Sequence, residues 1–207
     1  MKIFPVYYFP PISWFAALSG ESTVVFELHQ NYRKQNYYNR MRIKGPNKVM
    51  LLTVPVEKDK ENTPLLARKV SYRENWQKNH WKSLEAAYRA APYFEFYEDR
   101  IQPFFEREQL SLSALNLSVI RTCLEILQMD VDFQVSTAYQ GSAAYSGDYR
   151  TAFSPQAKAI PEWFQAQAYR QTFGEDFAPD LSILDLIFNM GPESAGILRT
   201  SFTGTPA

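Results

Sequence analysis

Lys2-Ile3-Phe4-Pro5-Val6-Tyr7-Tyr8-Phe9-Pro10-Pro11-Ile12-Ser13-Trp14-Phe15-Ala16-Ala17-Leu18-Ser19-Gly20-Glu21-Ser22-Thr23-Val24-Val25-Phe26-Glu27-Leu28 is the stretch whose reading decides the fold. Lys2–Tyr8 is short, β-branched and aromatic, the composition of a strand. Phe9-Pro10-Pro11 stops it, and Pro11 suits the first turn of a helix, where its missing N–H costs nothing. Ile12, Phe15 and Leu18 recur at helical spacing up to Gly20, and Thr23–Leu28 is a second strand-like run. Strand, short helix, strand is a β-α-β unit, and such a connection favours a parallel pair.

Working outward, Tyr37–Lys44 and Val49–Val56 flank Gly45-Pro46-Asn47-Lys48 and read as a hairpin. Glu57–Pro64 is charged, lacks apolar periodicity and reads as a loop. Asn75 is placed to cap a helix whose face is Trp76, His80, Leu84, Ala87, Tyr88 and Ala91, with Pro92 as its stop. Tyr93–Ile101 reads helical, and Pro103 either kinks it or starts a fresh helix. Ser111–Met129 is the clearest helix, with Leu112, Leu115, Val119, Cys123 and Ile126 on one stripe. Asp132–Thr137 follows as a strand.

Gln140–Arg150 is rich in Gly, Ser, Ala and Tyr without periodicity, a loop or a mobile flap. Ala168–Phe173 is a candidate strand. Ser182–Met190 is a helix that is apolar nearly all round and therefore expected to be buried. Ser182 and Asp185 are spaced as a capping box, Gly191-Pro192 is a stop, and a short helix runs from Glu193 to about Ser201. The expected architecture is a single α/β domain over 1–207: a mixed β-sheet with packed helices, including a mid-chain helical block.

The length of 207 residues suits one domain, and 45% hydrophobic residues supply a core. Lys plus Arg and Asp plus Glu are 22 each, so the net charge is zero, which argues against a nucleic-acid-coating protein. Cys123 is the only cysteine and His29 and His80 the only histidines, so no internal disulfide, Cys-based zinc site or His-rich metal cluster is expected. No metal or other cofactor is expected. The proline-broken N-terminus does not read as a signal peptide, and no stretch approaches the ~20 apolar residues of a membrane span. The expectation is a cytoplasmic protein. Dinucleotide, P-loop and nucleophile-elbow motifs do not occur, which disfavours a kinase, the usual dehydrogenase and an α/β-hydrolase.

Gln30–Lys48 is the most informative stretch for function. It holds Arg33, Lys34, Arg40, Arg42, Lys44 and Lys48 and no Asp or Glu, in a chain of zero net charge. Asn31, Gln35, Asn36 and Asn39 are mixed in with Tyr32, Tyr37 and Tyr38. On a strand, Arg40, Arg42 and Lys44 share one face and Asn39, Met41 and Ile43 the other. Such a row suits an anion, because the guanidinium fork matches phosphate or carboxylate oxygens and amides fix hydroxyls. A solvated strand face with ion pairs to acidic helices accounts for it about as well. Asn31, Gln35, Asn36, Asn39, Arg40 and Arg42 are the substrate-binding candidates.

His29 ends a strand, where a general base is often held, and a backbone-bonded turn histidine is the plainer alternative. His80 lies on an apolar helix stripe, so a satisfied core histidine is favoured over a base, with a cleft-edge role open. These two are the catalytic candidates. Cys123, in another apolar stripe, reads as an inert buried thiol.

The chain resembles the WbqC-like family, a bacterial group. The resemblance rests on Tyr8-Phe9-Pro10, on Lys34-Gln35-Asn36-Tyr37-Tyr38-Asn39-Arg40-Met41-Arg42-Ile43, and on Leu52-Thr53-Val54-Pro55-Val56. It continues through Trp76, His80-Trp81-Lys82-Ser83, Tyr88 and Pro92-Tyr93-Phe94. It is best from Phe177-Ala178-Pro179-Asp180-Leu181-Ser182-Ile183-Leu184-Asp185-Leu186 to Phe188-Asn189 and Gly191-Pro192. It implies a link to O-antigen or exopolysaccharide biosynthesis. Many members open with His-Gln-Pro, where this chain has Phe4-Pro5-Val6, and the segment between Thr137 and Trp163 is shorter here.

Two functions follow. One is a transferase acting on a nucleotide-linked sugar, whose small-molecule anionic substrate is held by the basic, amide-rich strand face while His29 or His80 handles a proton. The other is a non-catalytic binding or scaffold protein of the same pathway. RNA binding is the weakest reading, given the zero net charge.

Overall fold

The computed structural model describes residues 1–60, 62–156 and 160–204, and the opening β-α-β unit is present in it. Strand β1 (Lys2–Pro5) pairs in parallel with β2 (Thr23–Glu27), Lys2 opposite Val24 and Pro5 opposite Glu27. Helix α1 (Ile12–Leu18) joins them and buries all of its residues. β1 stops at Pro5 rather than Tyr8, because the chain leaves the sheet to bond elsewhere. The Tyr8 N–H donates to Tyr37 O at 3.0 Å, and Phe9 turns at a φ of 40°.

The hairpin is also present. β3 (Arg40–Lys44) runs antiparallel to β4 (Val49–Thr53), and the turn closes on Gly45 N–H to Lys48 O at 3.0 Å. Met41 and Ile43 point into the core while Arg40, Arg42 and Lys44 are half-buried on the opposite face.

The mid-chain block comprises α2 (Trp76–Tyr88), α3 (Phe94–Ile101) and α4 (Leu112–Ile126). Pro103 sits in a tight turn over Gln102–Phe105. Ser111 caps α4 by accepting from the Ala114 N–H at 3.1 Å, whereas the Asn75 side chain makes no cap on α2. The Asn116 side chain of α4 donates to Val6 O at 3.1 Å and to Tyr38 O at 2.8 Å, tying the exit of β1 to the segment that leads into β3. The Cys123 thiol is buried, and burial pushes its pKa up.

Strand β5 (Asp132–Val135) pairs in parallel with β2. The Gln140–Arg150 segment ends in a two-residue strand, β6 (Gly147–Asp148), parallel to β1 with Lys2 opposite Gly147. The final helices are α5 (Ile183–Met190) and α6 (Ser194–Ser201). Gly191, at a φ of +50°, ends α5, and a Cβ there would lie 2.5 Å from the Tyr93 ring.

Two expectations fail in the last third. Ala168–Phe173 is not a strand. Its side chains bond to α5 instead: the Tyr169 hydroxyl and the Gln171 amide both donate to Asp185 Oδ2, at 2.6 and 2.9 Å. Those bonds take Oδ2 and leave Oδ1 without a partner, while the Ser182 N–H donates to Arg42 O at 2.8 Å, so the expected capping box is absent and Ser182 Oγ accepts from the Leu184 N–H. Burial raises the Asp185 pKa.

The protein is thus a single α/β domain with two sheets, one parallel in the order β5-β2-β1-β6, and one antiparallel hairpin, β3-β4. The chain moves from β1 through β2 to β5 and then returns to the far side of β1 with β6. That reversal makes the C-terminal end of β1 and β6 a topological switch point, where open parallel sheets commonly bind ligands. Among the described residues no helix is long and apolar enough to cross a membrane.

Candidate functional site

The switch point is filled by the protein itself. Phe4 of β1 is buried and stacks on Tyr149 at 4.4 Å between ring centroids, with Trp14 against its edge at 5.6 Å. Beside this stack sits a buried charge cluster. Arg150 donates Nε to Asp148 Oδ1 at 2.9 Å, Nη2 to Asp148 Oδ2 at 2.5 Å, and Nη1 to Glu27 Oε2 at 3.2 Å and Gln140 O at 2.8 Å. Glu27 Oε1 accepts from Ser136 Oγ at 2.8 Å and from the His29 N–H at 2.7 Å. The bonds from Arg150 hold the Asp148 carboxyl below its ordinary range. Donors and acceptors are matched here, leaving little for a ligand.

The basic row on β3 has a different character. Its three cations face three separate clefts, because segments from 31–39, 56–68 and 151–180 pack over different parts of the strand. Lys44 is occupied, bonding Gln171 Oε1 at 3.0 Å and the Asp176 carbonyl. Arg42 faces a cleft that also holds Asp180. Arg40 faces the largest, a cavity of about 860 Å³.

This cavity is built by three chain segments. The turn after β2 supplies Tyr32, Lys34 and Gln35; the start of β3 supplies Asn39 and Arg40; the segment after β4 supplies Glu57, Lys58, Asp59, Lys60 and Arg68. Arg68 follows a 3₁₀ turn (Leu65–Ala67) whose N–H groups are anchored to the carbonyls of Gln30 and Leu28 at 3.0 Å each. Its guanidinium lies over the Tyr32 ring at 4.7 Å, and Nη1 donates to Glu57 O at 3.3 Å. Arg68 is only 7% exposed, yet its Nε has no partner, and neither has the buried Nε of Arg40. Among the described residues neither arginine is in an ion pair. Asn39 donates Nδ2 to Val54 O at 2.7 Å and leaves its buried Oδ1 unpartnered.

Five cations against two carboxylates line this cleft, so its field is positive. Buried polar groups are normally hydrogen-bonded, and guanidinium forks left open in a cleft are matched by oxyanions. Burial raises the Tyr32 hydroxyl pKa, and it stays a neutral donor at physiological pH.

The predicted residues are thus partly brought together. Gln35, Asn39 and Arg40 share the large cleft, and Arg42 lines a neighbouring one. Asn31 is exposed and bridges to Pro64 through its backbone. The Asn36 side chain lies against the Tyr7 hydroxyl in the aromatic core. Neither histidine lines these clefts. His29 is half-buried, and its backbone N–H is what meets Glu27. His80 is buried, its Nδ1 is 3.1 Å from the Tyr8 hydroxyl, and Trp76 and Phe105 stand around the ring. Burial lowers its pKa to about 4, so it is neutral at physiological pH. Arg68 was not foreseen; a lone arginine behind a charged loop carries no local signal, and only its packing on Tyr32 reveals it.

Fold and cleft together define an α/β protein with a basic cleft at the start of its antiparallel hairpin. The chain belongs to the WbqC-like protein family, which it matches over residues 6–159 and 149–197. It is also 26% identical, over 93% of its length and 94% of the relative's, to the uncharacterised protein Rv1507c of Mycobacterium tuberculosis. No solved structure matches it significantly. Phe4, in the Phe4-Pro5-Val6 run, is a core residue stacked on Tyr149.

Proposed function

We propose that the protein binds an anionic small molecule of the nucleotide-sugar class in the Arg40–Arg68 cleft. It serves a group transfer in cell-surface polysaccharide metabolism (O-antigen or exopolysaccharide) in the cytoplasm. The observation that carries this reading is the pair of arginines with open Nε groups and no carboxylate partner in a cavity of about 860 Å³. A diphosphate would take both guanidinium forks, and the free Asn39 Oδ1 would accept from a sugar hydroxyl or a base N–H.

Thermal melting with a panel of uridine, guanosine, thymidine and cytidine nucleotide sugars tests it. At least one is expected to raise the melting temperature, less so in high salt; at a hundred times Kd the gain is about 2.7 kcal/mol. The gain should vanish in the Arg40→Met, Arg68→Met double variant. No shift with any ligand, or an unchanged shift in the double variant, refutes the reading.

A second reading, a non-catalytic binding protein, is supported by one observation: neither histidine lines the cleft, and His80 is enclosed by aromatic rings. If the bound nucleotide sugar stays intact by NMR with every acceptor offered, this reading is favoured.

A further inference from the structure

Arg42 and Asp180 line a second cleft, of about 470 Å³, which shares no lining residue with the first. The Gln35–Gln156 hydrogen bond, at 2.5 Å, links the two: Gln35 lines the first cleft, and Gln156 follows the 151–154 wall of the second. The two groups carry opposite charge on the walls of one cleft, yet no ion pair joins them among the described residues. Asp180 is 8% exposed and sits at a φ of 53°, a left-handed conformation uncommon for a residue other than glycine. Its Oδ1 accepts from the Ser13 N–H at 2.8 Å, which fixes the carboxyl at the cleft wall. The Tyr37 hydroxyl is buried beside Arg42 and within the field of Asp180. Val49, Phe153, Ile160 and Pro179 make an apolar wall.

A simple anion drawn to Arg42 would meet the Asp180 carboxylate, and a simple cation drawn to Asp180 would meet the guanidinium. A ligand that carries both charges, a short distance apart, satisfies both walls. We infer that this cleft binds a small zwitterion of the α-amino-acid class, its carboxylate on Arg42, its ammonium on Asp180 and its side chain on the apolar wall. The volume lies within the range of small-molecule pockets. The site is independent of the nucleotide-sugar reading, since it uses different residues.

The burial of the Asp180 carboxyl agrees with the same geometry. Burial raises the Asp180 carboxyl to about 6, opposed by the Ser13 bonds and Arg42. Tyr37, Arg42 and Tyr169 are the other ionisable groups that act on it. An ammonium needs the ionised carboxylate, so binding is strong above pH 6 and fades below it.

Isothermal titration of the full chain with the twenty standard amino acids at pH 7.5 and pH 5 tests the inference. At least one with an apolar side chain is expected to bind at pH 7.5, and about tenfold more weakly at pH 5. Its N-acetyl derivative and its methyl ester should each lose at least tenfold, and Asp180→Asn should lose the preference for the free amine. Absence of binding by all twenty at millimolar concentration overturns the inference. So does equal binding of the N-acetyl form, or unchanged binding by Asp180→Asn. Nucleotide-sugar melting on the same samples reads the first cleft separately, so either site can fail without the other.

Discussion

Two groups of arginines in this protein have opposite environments. Arg150 is buried with its donors matched to Asp148, Glu27 and the Gln140 carbonyl. Arg40 and Arg68 are held in a cleft with unpartnered Nε groups, and among the described residues neither is in an ion pair. The first arrangement locks the sheet: it joins the end of β2 to the second residue after β6 across 123 positions of sequence. The second leaves donors unmatched, and the proposed ligand would complete them. A side chain's identity does not separate structural from functional arginine; the count of its partners does.

The sharpest way to break this contrast is Arg150→Met. It leaves Glu27 buried without its cation, which costs about 3–5 kcal/mol. Urea unfolding should show that loss. A loss below 1 kcal/mol would mean that the cluster is not a lock.

Asp180→Asn should act in the other direction. An acid whose folded pKa lies above its unfolded value gives a stability contribution that is present below about pH 4. It is lost as pH rises through the folded value, about 6. The amide removes that loss and can still accept from Ser13 N–H, and asparagine tolerates positive φ. The variant is expected to be more stable than the parent at pH 7.5 by roughly 3 kcal/mol, with the gain disappearing towards pH 4. A variant that is less stable at pH 7.5 would show that Asp180 is satisfied within the protein, which would weaken the second cleft as a ligand site.

The smallest effect is expected at Arg40→Met, which removes no ion pair and opens no cavity in the core. Its unfolding free energy should stay within about 0.5 kcal/mol of the parent's. A larger loss would move Arg40 to the structural group.

Much of the fold was legible because its signals are local. Pro11 marks the start of α1, and Gly45-Pro46 marks the hairpin turn. The period-2 pattern of β3 set Met41 and Ile43 against Arg40 and Arg42, and the structure keeps that division. His80, at helical spacing in an apolar stripe, is the core histidine that spacing favours. What failed depends on distant partners. Asp185 has the spacing of a capping residue, but the Ser182 N–H donates to Arg42 O, and Tyr169 and Gln171 bond Asp185 Oδ2. Gly147-Asp148 has no strand propensity of its own, and becomes one through pairing with Lys2 and Ile3.

By itself the sequence determined the periodicities, the breaks between elements and the concentration of cations in residues 30–48, because each is a property of neighbours along the chain. Tertiary structure alone decided that the basic row would be divided among three clefts, that Arg68 would join Arg40, and that Glu27 would find Arg150. Those outcomes depend on which remote segment packs against which, and the burial that packing imposes sets how many partners each charge retains.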